Sequence, residues 1–522
     1  MKPEDEGADR SSHLSIVIFS QIKNKYRRFF CLRNLTLGMI IIGVILRLIQ
    51  YSLNRSLWID ESFIALIVTK NSFLGLLGPL DYHQVAPTGF LFIEKALALL
   101  LGNNEYALRL FPLVAGIVSL FLFYRVARHC IREEGAFIAV GLFSLSGHLI
   151  YYSSEVKQYS SDATIALLLL AITIYIISQK YKKLCVAFLG VIGALSVWFS
   201  LTSVFVLAGI GCTLSLFALA RREWSTNNRL LVTYFIWLSS FAIFYLIYSR
   251  NISGNLGRQQ LYWDSNFMPF PPVSISDFKW FGKTFFNIFE SPIGIYLPGL
   301  GALTFLLGCV SIFSKDKQLF FILLSPVFFA LLASAFRLYP FSGRTIIFLV
   351  PFMLLFIGEG VAFLCGNISN HYRQIVWITV IGLLFCGPLA GAFTHAKSKK
   401  GFDIRPYEDI KPVMKFLEEH KKQGDLLYIY PPAECPFMYY SERYGFNNDD
   451  YIKGIYAGHD QDKWYKYLNN LQKLKGNKRV WLLFSHIKRG DEAIFLNHLD
   501  RLGTRLDRFK GIGAAVYLYD LS

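Results

Sequence analysis

The sequence predicts a polytopic α-helical membrane protein with a small α/β domain at its C-terminal end. Three observations lead there. Of 522 residues, 54% are hydrophobic and 17% charged, against about 25% charged in soluble domains. Apolar runs long enough to cross a hydrocarbon core of about 30 Å recur between residues 34 and 394. Beyond 395 the chain turns polar and its pattern alternates between helical and β-rich segments. The mean hydropathy of +0.40 excludes disorder, and excludes a soluble nucleic-acid binder, for most of the chain. The net charge of +17 therefore needs another explanation. In a hydrophobic chain, excess Lys and Arg marks cytoplasmic loops.

Residues 1–33 form a cytoplasmic N-terminal segment, of which 1–13 are polar and read as disordered. Eleven runs qualify as spans: 34–53, 107–125, 134–152, 160–178, 184–200, 202–219, 229–249, 293–313, 318–337, 345–365 and 372–393. The first starts late, is long, and lacks a small-residue cleavage site, so it is no signal peptide. Basic clusters at Lys23/Lys25/Arg27/Arg28/Arg33, Arg125/Arg128/Arg132, Lys180/Lys182/Lys183, Arg221/Arg222/Arg229 and Lys315/Lys317 all fall inside if the N-terminus is inside. A shorter apolar stretch, Ala86–Gly102, carries Glu94 and Lys95 in its middle. Its parity makes it an interfacial or re-entrant helix within the outer loop 54–106, with its charges on a wet face. Residues 34–394 are the membrane domain. Residues 395–522 are an extracytoplasmic α/β domain, with helices over Glu408–His420, Asp462–Lys475 and Asp491–Leu502. Strands are expected over Leu426–Tyr430, Arg479–Phe484 and Ala514–Tyr519. This domain carries 22 Lys/Arg against 17 Asp/Glu, so most of the positive charge belongs to the membrane part. Seven of the eight cysteines lie in or beside apolar runs and read as small hydrophobes. The implied location is a bacterial inner membrane, with the N-terminus cytoplasmic.

This topology gathers ionisable residues on the outer face, where a membrane protein carries them only for a reason. The loop after the first span holds Trp58-Ile59-Asp60-Glu61 and Asp81-Tyr82-His83-Gln84. Between spans three and four lies Tyr152-Ser153-Ser154-Glu155-Val156-Lys157-Gln158-Tyr159-Ser160-Ser161-Asp162, and before span ten Pro340-Phe341-Ser342-Gly343-Arg344. Loop 250–292 adds Arg258, Gln259, Tyr262, Trp263, Asp264 and Lys283. A carboxylate can take the proton of an attacking hydroxyl, and Lys and Arg can hold a phosphate.

These segments, with Glu105-Tyr106-Ala107-Leu108-Arg109-Leu110-Phe111-Pro112, resemble the GT-C membrane glycosyltransferases. More closely they resemble bacterial glycosyltransferase family 39, relatives of protein O-mannosyltransferases and lipid A aminoarabinose transferase. The resemblance implies an inverting sugar transfer from a polyprenyl-phosphate donor to a hydroxyl of a lipid, glycan or protein acceptor, on the outer face. Carried over, Asp60 is the base, Glu61 assists it, and Lys157 and Arg344 bind the donor phosphate. His83, Glu155, Tyr159 and Asp162 are weaker candidates for substrate binding. The chain departs from the family at His83-Gln84-Val85-Ala86-Pro87, where relatives carry a Pro pair. It departs again at Lys157, where they carry Arg, whose bidentate fork Lys lacks. Some relatives bind a divalent metal. Asp60, Glu61 and His83 are ligand types, though their spacing is no metal signature.

The plainer readings are specific. Asp60 and Glu61 suit the first turn of a helix, Tyr159 an aromatic belt, and Lys157 a snorkelling cation. Arg344 suits a flanking anchor, and Arg109 a structural residue. Glu359, deep in span ten between two glycines, has no role evident from sequence. A transporter or flippase of a lipid-linked sugar is the alternative function, and a receptor-like scaffold a third. Transporters favour repeats and midplane charges, whereas here the charges lie on one face.

Overall fold

The computed structural model describes residues 32–253, 263–396, 398, 401–402, 408–447, 450–455, 463–487 and 490–522. Helix α1 (Leu32–Ser52) is followed by two shorter helices, α2 (Ile59–Lys70) and α3 (Thr88–Leu101). Then come α4 (Glu105–Cys130), α5 (Glu133–Leu145), α6 (Gly147–Tyr152), α7 (Tyr159–Ser178), α8 (Lys183–Phe199), α9 (Ser203–Ala220) and α10 (Trp224–Ser253). The amphipathic α11 (Ile275–Glu290) precedes α12 (Pro298–Lys315), α13 (Lys317–Ala335), α14 (Val350–Gly366) and α15 (Asn370–Ala396). Among the described residues, nine helices are long and apolar enough to cross a membrane. The other two expected spans are present as shorter helices. One is α8, of 17 residues. The other is broken in two at Ser146, whose extended backbone separates α5 from α6.

That break would strand carbonyls in an apolar environment, which lipid does not tolerate. Arg47 of α1 is buried and answers it, donating to the carbonyls of Gly43 (3.0 Å) and Ser144 (3.4 Å). Ser146 restarts the chain as the cap of α6, accepting from the Leu149 N–H. Between α4 and α7, Ser160 and Thr164 donate to the carbonyls of Pro112 (2.9 Å) and Ala115 (2.8 Å). These bonds fix the start of α7 against α4.

Small residues bring α14 against α5 and α12, as packing between apolar helices requires. A side chain on Gly360 would overlap the Thr304 carbonyl, and one on Gly308 the Phe356 carbonyl. Glu359 sits between, 1% exposed. It accepts from the Arg132 backbone N–H (3.0 Å), from Ser311 Oγ (2.8 Å) and from Lys315. Glu359 is therefore an anchor for the basic loops at the far end of the bundle, which explains an acid the sequence alone leaves without a role.

The C-terminal domain contains α16 (Lys411–His420), α17 (Glu434–Tyr440), α18 (Lys463–Gln472) and α19 (Asp491–Leu502). Its strands are β1 (Leu426–Ile429), β2 (Ile452–Lys453), β3 (Val480–Ser485), β4 (Thr504–Lys510) and β5 (Ala514–Asp520), in the order β2-β1-β3-β5-β4. Strands β1, β2 and β3 run parallel, and β5 lies antiparallel to β3 and β4. The three expected strands are the central ones, because buried strands read as apolar runs. β4, mostly exposed and charged, and the two-residue β2 carried no such signal. The domain's core is continuous with the outer loop: Leu57, Ile64, Leu66, Phe90 and Val156 pack in one cluster with Tyr428, Tyr440 and Trp481.

One expectation is corrected. Glu94 and Lys95 do not lie on a wet face; they are 0% and 8% exposed, because α2, α4 and α8 cover α3. Lys95 donates to the Val68 carbonyl (3.0 Å). Glu94 has no hydrogen-bond partner for either oxygen among the described residues, and burial pushes its carboxyl well above the usual range. The expected disorder of residues 1–13, and the basic cluster at Lys23 to Arg28, lie outside the described residues. Replacing Gly360 by Ala should separate α12 from α14 and cost about 1–3 kcal/mol or more of overpacking. A clear fall in the thermal midpoint of the purified protein checks this, and an unchanged midpoint refutes it.

Candidate active site

The site is built where α2 begins. Trp58 is the extended residue before the helix, and Asp60 and Glu61 occupy its first turn. Neighbours in sequence, the two acids face different surroundings. Glu61 is 1% exposed and turned inward. Arg109 grips it with a two-pronged bond, Nε to Oε1 (2.9 Å) and Nη2 to Oε2 (2.8 Å). The backbone N–H groups of Val156 (2.9 Å) and Trp58 (3.1 Å) also donate to it. Burial alone would raise the Glu61 carboxyl, but the charge and hydrogen bonds of Arg109, with Arg55 and the Val156 N–H, hold it below the usual range. Arg109 also donates to the carbonyls of Arg55 (2.7 Å) and Ser56 (3.3 Å). One fork thus joins α2, α4 and the loop before α7.

Asp60 points the other way and is partly exposed. Its Oδ2 accepts from Arg344 Nη1 at 2.7 Å, across 284 residues of sequence. Arg344 lies on the turn Gly343–Leu349, which leads into α14. Its guanidinium sits 5.8 Å from the ring centre of Tyr159 and 5.5 Å from that of Trp263, within cation–π range. The structure therefore gathers Asp60, Tyr159 and Arg344, drawn from three separate segments, and adds Trp263. Glu155, four residues before Tyr159, is buried.

The remaining candidates are placed as follows. Lys157 is 6% exposed, and its Nζ donates to Gln84 Oε1 (2.7 Å). That bond ties the α7 loop to the outer turn Asp81–His83. His83 itself is exposed on that turn, and both it and Tyr82 have left-handed backbone (φ 56° and 57°). Asp162 is buried in the first turn of α7, and its Oδ1 has no hydrogen-bond partner among the described residues. Arg258, Gln259 and Tyr262 lie outside the described residues. Lys283 is exposed on α11. It lines a cavity of about 170 Å³ with Trp280, Asn287, Ser342 and Gly343, beside the Arg344 turn.

Two sequence readings change. Among the described residues no three His, Cys, Asp or Glu side chains form a metal-binding group. The set Asp60, Glu61 and His83 is not assembled: both Glu61 oxygens are already bonded inward, and His83 stands on an exposed turn. Arg109, read from sequence as merely structural, is the partner on which the orientation of the two acids rests. The available signal was a cation one helical turn past Glu105 in an otherwise apolar span, which demands a partner. Replacing Arg109 by Met should leave Glu61 buried and unpaired, at a cost of about 3–5 kcal/mol. Arg109→Lys should recover only part, having no fork. Thermal melts of the two variants check both statements.

A family profile, Dolichyl-phosphate-mannose-protein mannosyltransferase, matches residues 85–248. No curated protein matches the sequence. Among solved structures, ArnT from Cupriavidus metallidurans, solved with undecaprenyl phosphate bound, aligns with a TM-score of 0.54 and 13% identity, over 92% of this chain and 97% of that one. Its apo form aligns with a TM-score of 0.55 at the same identity. The oligosaccharyltransferase AglB from Archaeoglobus fulgidus, solved with an inhibitory peptide and a dolichol-phosphate, aligns with a TM-score of 0.51 and 11% identity, over 93% of this chain and 74% of that one. At such identities the structural likeness speaks for the fold, and the profile match adds a relation in sequence. The chain thus shares the membrane fold of ArnT and AglB, and its residues 85–248 are similar in sequence to the dolichyl-phosphate-mannose-protein mannosyltransferases.

Proposed function

We propose that this protein transfers a sugar, with inversion, from a polyprenyl-phosphate donor to an acceptor hydroxyl on the outer face of a bacterial inner membrane. The observation that carries this reading is the Asp60–Arg344 contact at 2.7 Å. It sets a partly exposed carboxylate against a cation at the mouth of a membrane helix, on the side where the C-terminal domain packs. A lipid-borne phosphate reaches that depth with its tail among the helices. The solved ArnT with undecaprenyl phosphate and AglB with dolichol-phosphate support a carrier of this class.

In the proposed reaction the acceptor hydroxyl gives its proton to Asp60. Its oxygen then attacks the anomeric carbon from the face opposite the phosphate. The bond from that carbon to the phosphate oxygen breaks, and the electron pair leaves with the phosphate. Arg344 and Lys157 neutralise the charge that remains on it. The leaving group is a stable phosphate, so a strong acid is needed less than in glycoside hydrolysis, where two carboxyls share the work. That fits Glu61, which is spent on Arg109: its role is to aim its neighbour. The ring faces of Tyr159 and Trp263 flank the guanidinium and keep it extended toward Asp60. In this reading the donor parts the ion pair as it binds, with its phosphate taking over the cation. The acceptor is a lipid, glycan or protein hydroxyl, the N-terminus is cytoplasmic, and the C-terminal domain is extracytoplasmic. No metal-bound step enters this scheme.

Asp60→Asn should leave expression and the thermal midpoint intact. It should lower turnover by about 10²–10⁴-fold, the usual contribution of a positioned base. Turnover can be followed as release of undecaprenyl phosphate from undecaprenyl-phosphate mannose and related polyprenyl-phosphate sugars, chosen after mass spectrometry of lipid co-purifying with the protein. Full turnover in the Asn variant would remove the base assignment. Arg344→Ala should weaken binding of undecaprenyl phosphate by about ten-fold or more, the loss expected when a charge-assisted contact goes. An unaltered affinity would count against a phosphate role for Arg344.

A further inference from the structure

Three consecutive residues lead into α2, and each is held by a different segment of the C-terminal domain. Ser56 Oγ donates to Asp409 Oδ1 (2.5 Å). The Leu57 N–H donates to the Tyr440 hydroxyl (2.9 Å). The Trp58 indole N–H points at His486 Nδ1 (3.0 Å), which Glu408 Oε1 also approaches (2.9 Å), and the Trp58 and His486 rings lie 5.3 Å apart. Asp60 follows two residues later. The Tyr440 hydroxyl in turn donates a hydrogen bond to Glu105 Oε1 (2.9 Å). Glu105 is the first residue of α4 and is gripped again by Arg443 (2.9 Å) and Lys411 (3.3 Å) of the same domain. One helical turn further along α4 is Arg109, which holds Glu61. Tyr440 and Leu57 are both buried, so water does not substitute for the bond between them.

We infer that the C-terminal domain is a positioning element for the proposed base, with Asp409, Tyr440 and His486 as positioning residues acting on Asp60 through residues 56–58. This rests on the reading of Asp60 as the base. A domain that only recruited acceptor would need to touch the outer loop at its rim. This one bonds to the backbone and side chains that set where α2 starts, and it shares their core. Small errors in placing a reacting group are costly even when nothing that touches substrate is altered.

The test uses the full-length protein and two substitutions that each delete one hydrogen-bonding group while leaving an aromatic ring at the position: Tyr440→Phe and Trp58→Phe. The probe is undecaprenyl-phosphate mannose, or the polyprenyl-phosphate sugar found most active, read as kcat and donor KM. Each variant should lose about ten-fold in kcat, with donor and acceptor KM within two-fold. The thermal midpoint should fall by no more than the cost of one buried hydrogen bond, and the protein should stay fully folded at the assay temperature. The pair combined should lose more than either alone. A change confined to acceptor KM overturns the proposal in favour of an acceptor-binding domain. A fall in kcat that tracks loss of folded protein overturns it in favour of plain docking. Full kcat in both variants beside an inactive Asp60→Asn overturns it while leaving the base reading intact. Full kcat in Asp60→Asn overturns the base reading, and this proposal with it.

Discussion

The site depends on the buried pair between Glu61 and Arg109. Two charges taken out of water are expensive unless their lone pairs and N–H groups find partners, and here four donors reach the carboxylate and four of the five guanidinium N–H groups are bonded. The carboxylate receives the fork together with two backbone N–H groups, and the guanidinium also reaches the carbonyls of Arg55 and Ser56. Such a geometry tolerates little displacement. It fixes the rotation of α2 about its own axis, which sends the next acid, Asp60, toward Arg344. The adjacent acids divide the labour: one is consumed in structure so that the other can face the membrane mouth.

A second anchor lies at the opposite end of the bundle. Glu359 collects Arg132 and Lys315 from two loops that the charge pattern assigns to the cytoplasm. Close glycine contacts hold α14, which carries this acid, against α5 and α12. The same element begins, at its other end, with the turn that presents Arg344. The bundle thus has one ion cluster at each end of α14. The cation at its mouth is positioned by a helix pinned at its base.

Much of the fold was legible in sequence. Apolar length and basic loops are local signals, and all eleven expected spans correspond to helices, two of them short or broken. The central strands of the outer domain read as apolar runs. β4 did not, because an exposed charged edge carries no such run. Asp60 and Arg344 were recognisable as candidates from position and family resemblance. Their direct contact was not, since 284 residues separate them and only the assembled bundle closes the distance. Burial of Glu94 and Lys95 was hidden for a similar reason. Helical periodicity says which residues share a face, but not that α2, α4 and α8 would cover it. The role of Arg109 needed the position of α2, which no local pattern encodes.

The shared core of the outer loop and the C-terminal domain also bears on how the chain is made. Residues 54–111 leave the ribosome well before the residues that complete their core, from Ile410 to Leu521. Until then Leu57, Ile64 and Phe90 have no partners from that side. The two halves of this core are brought together across a loop of more than 300 residues, whose closure entropy grows only slowly with length. Completion of the candidate site therefore waits on the segment from Ile410 onward rather than on the helices around it: a chain that stopped before Ile410 would hold its membrane helices and lack the partners of Leu57, Ile64 and Phe90.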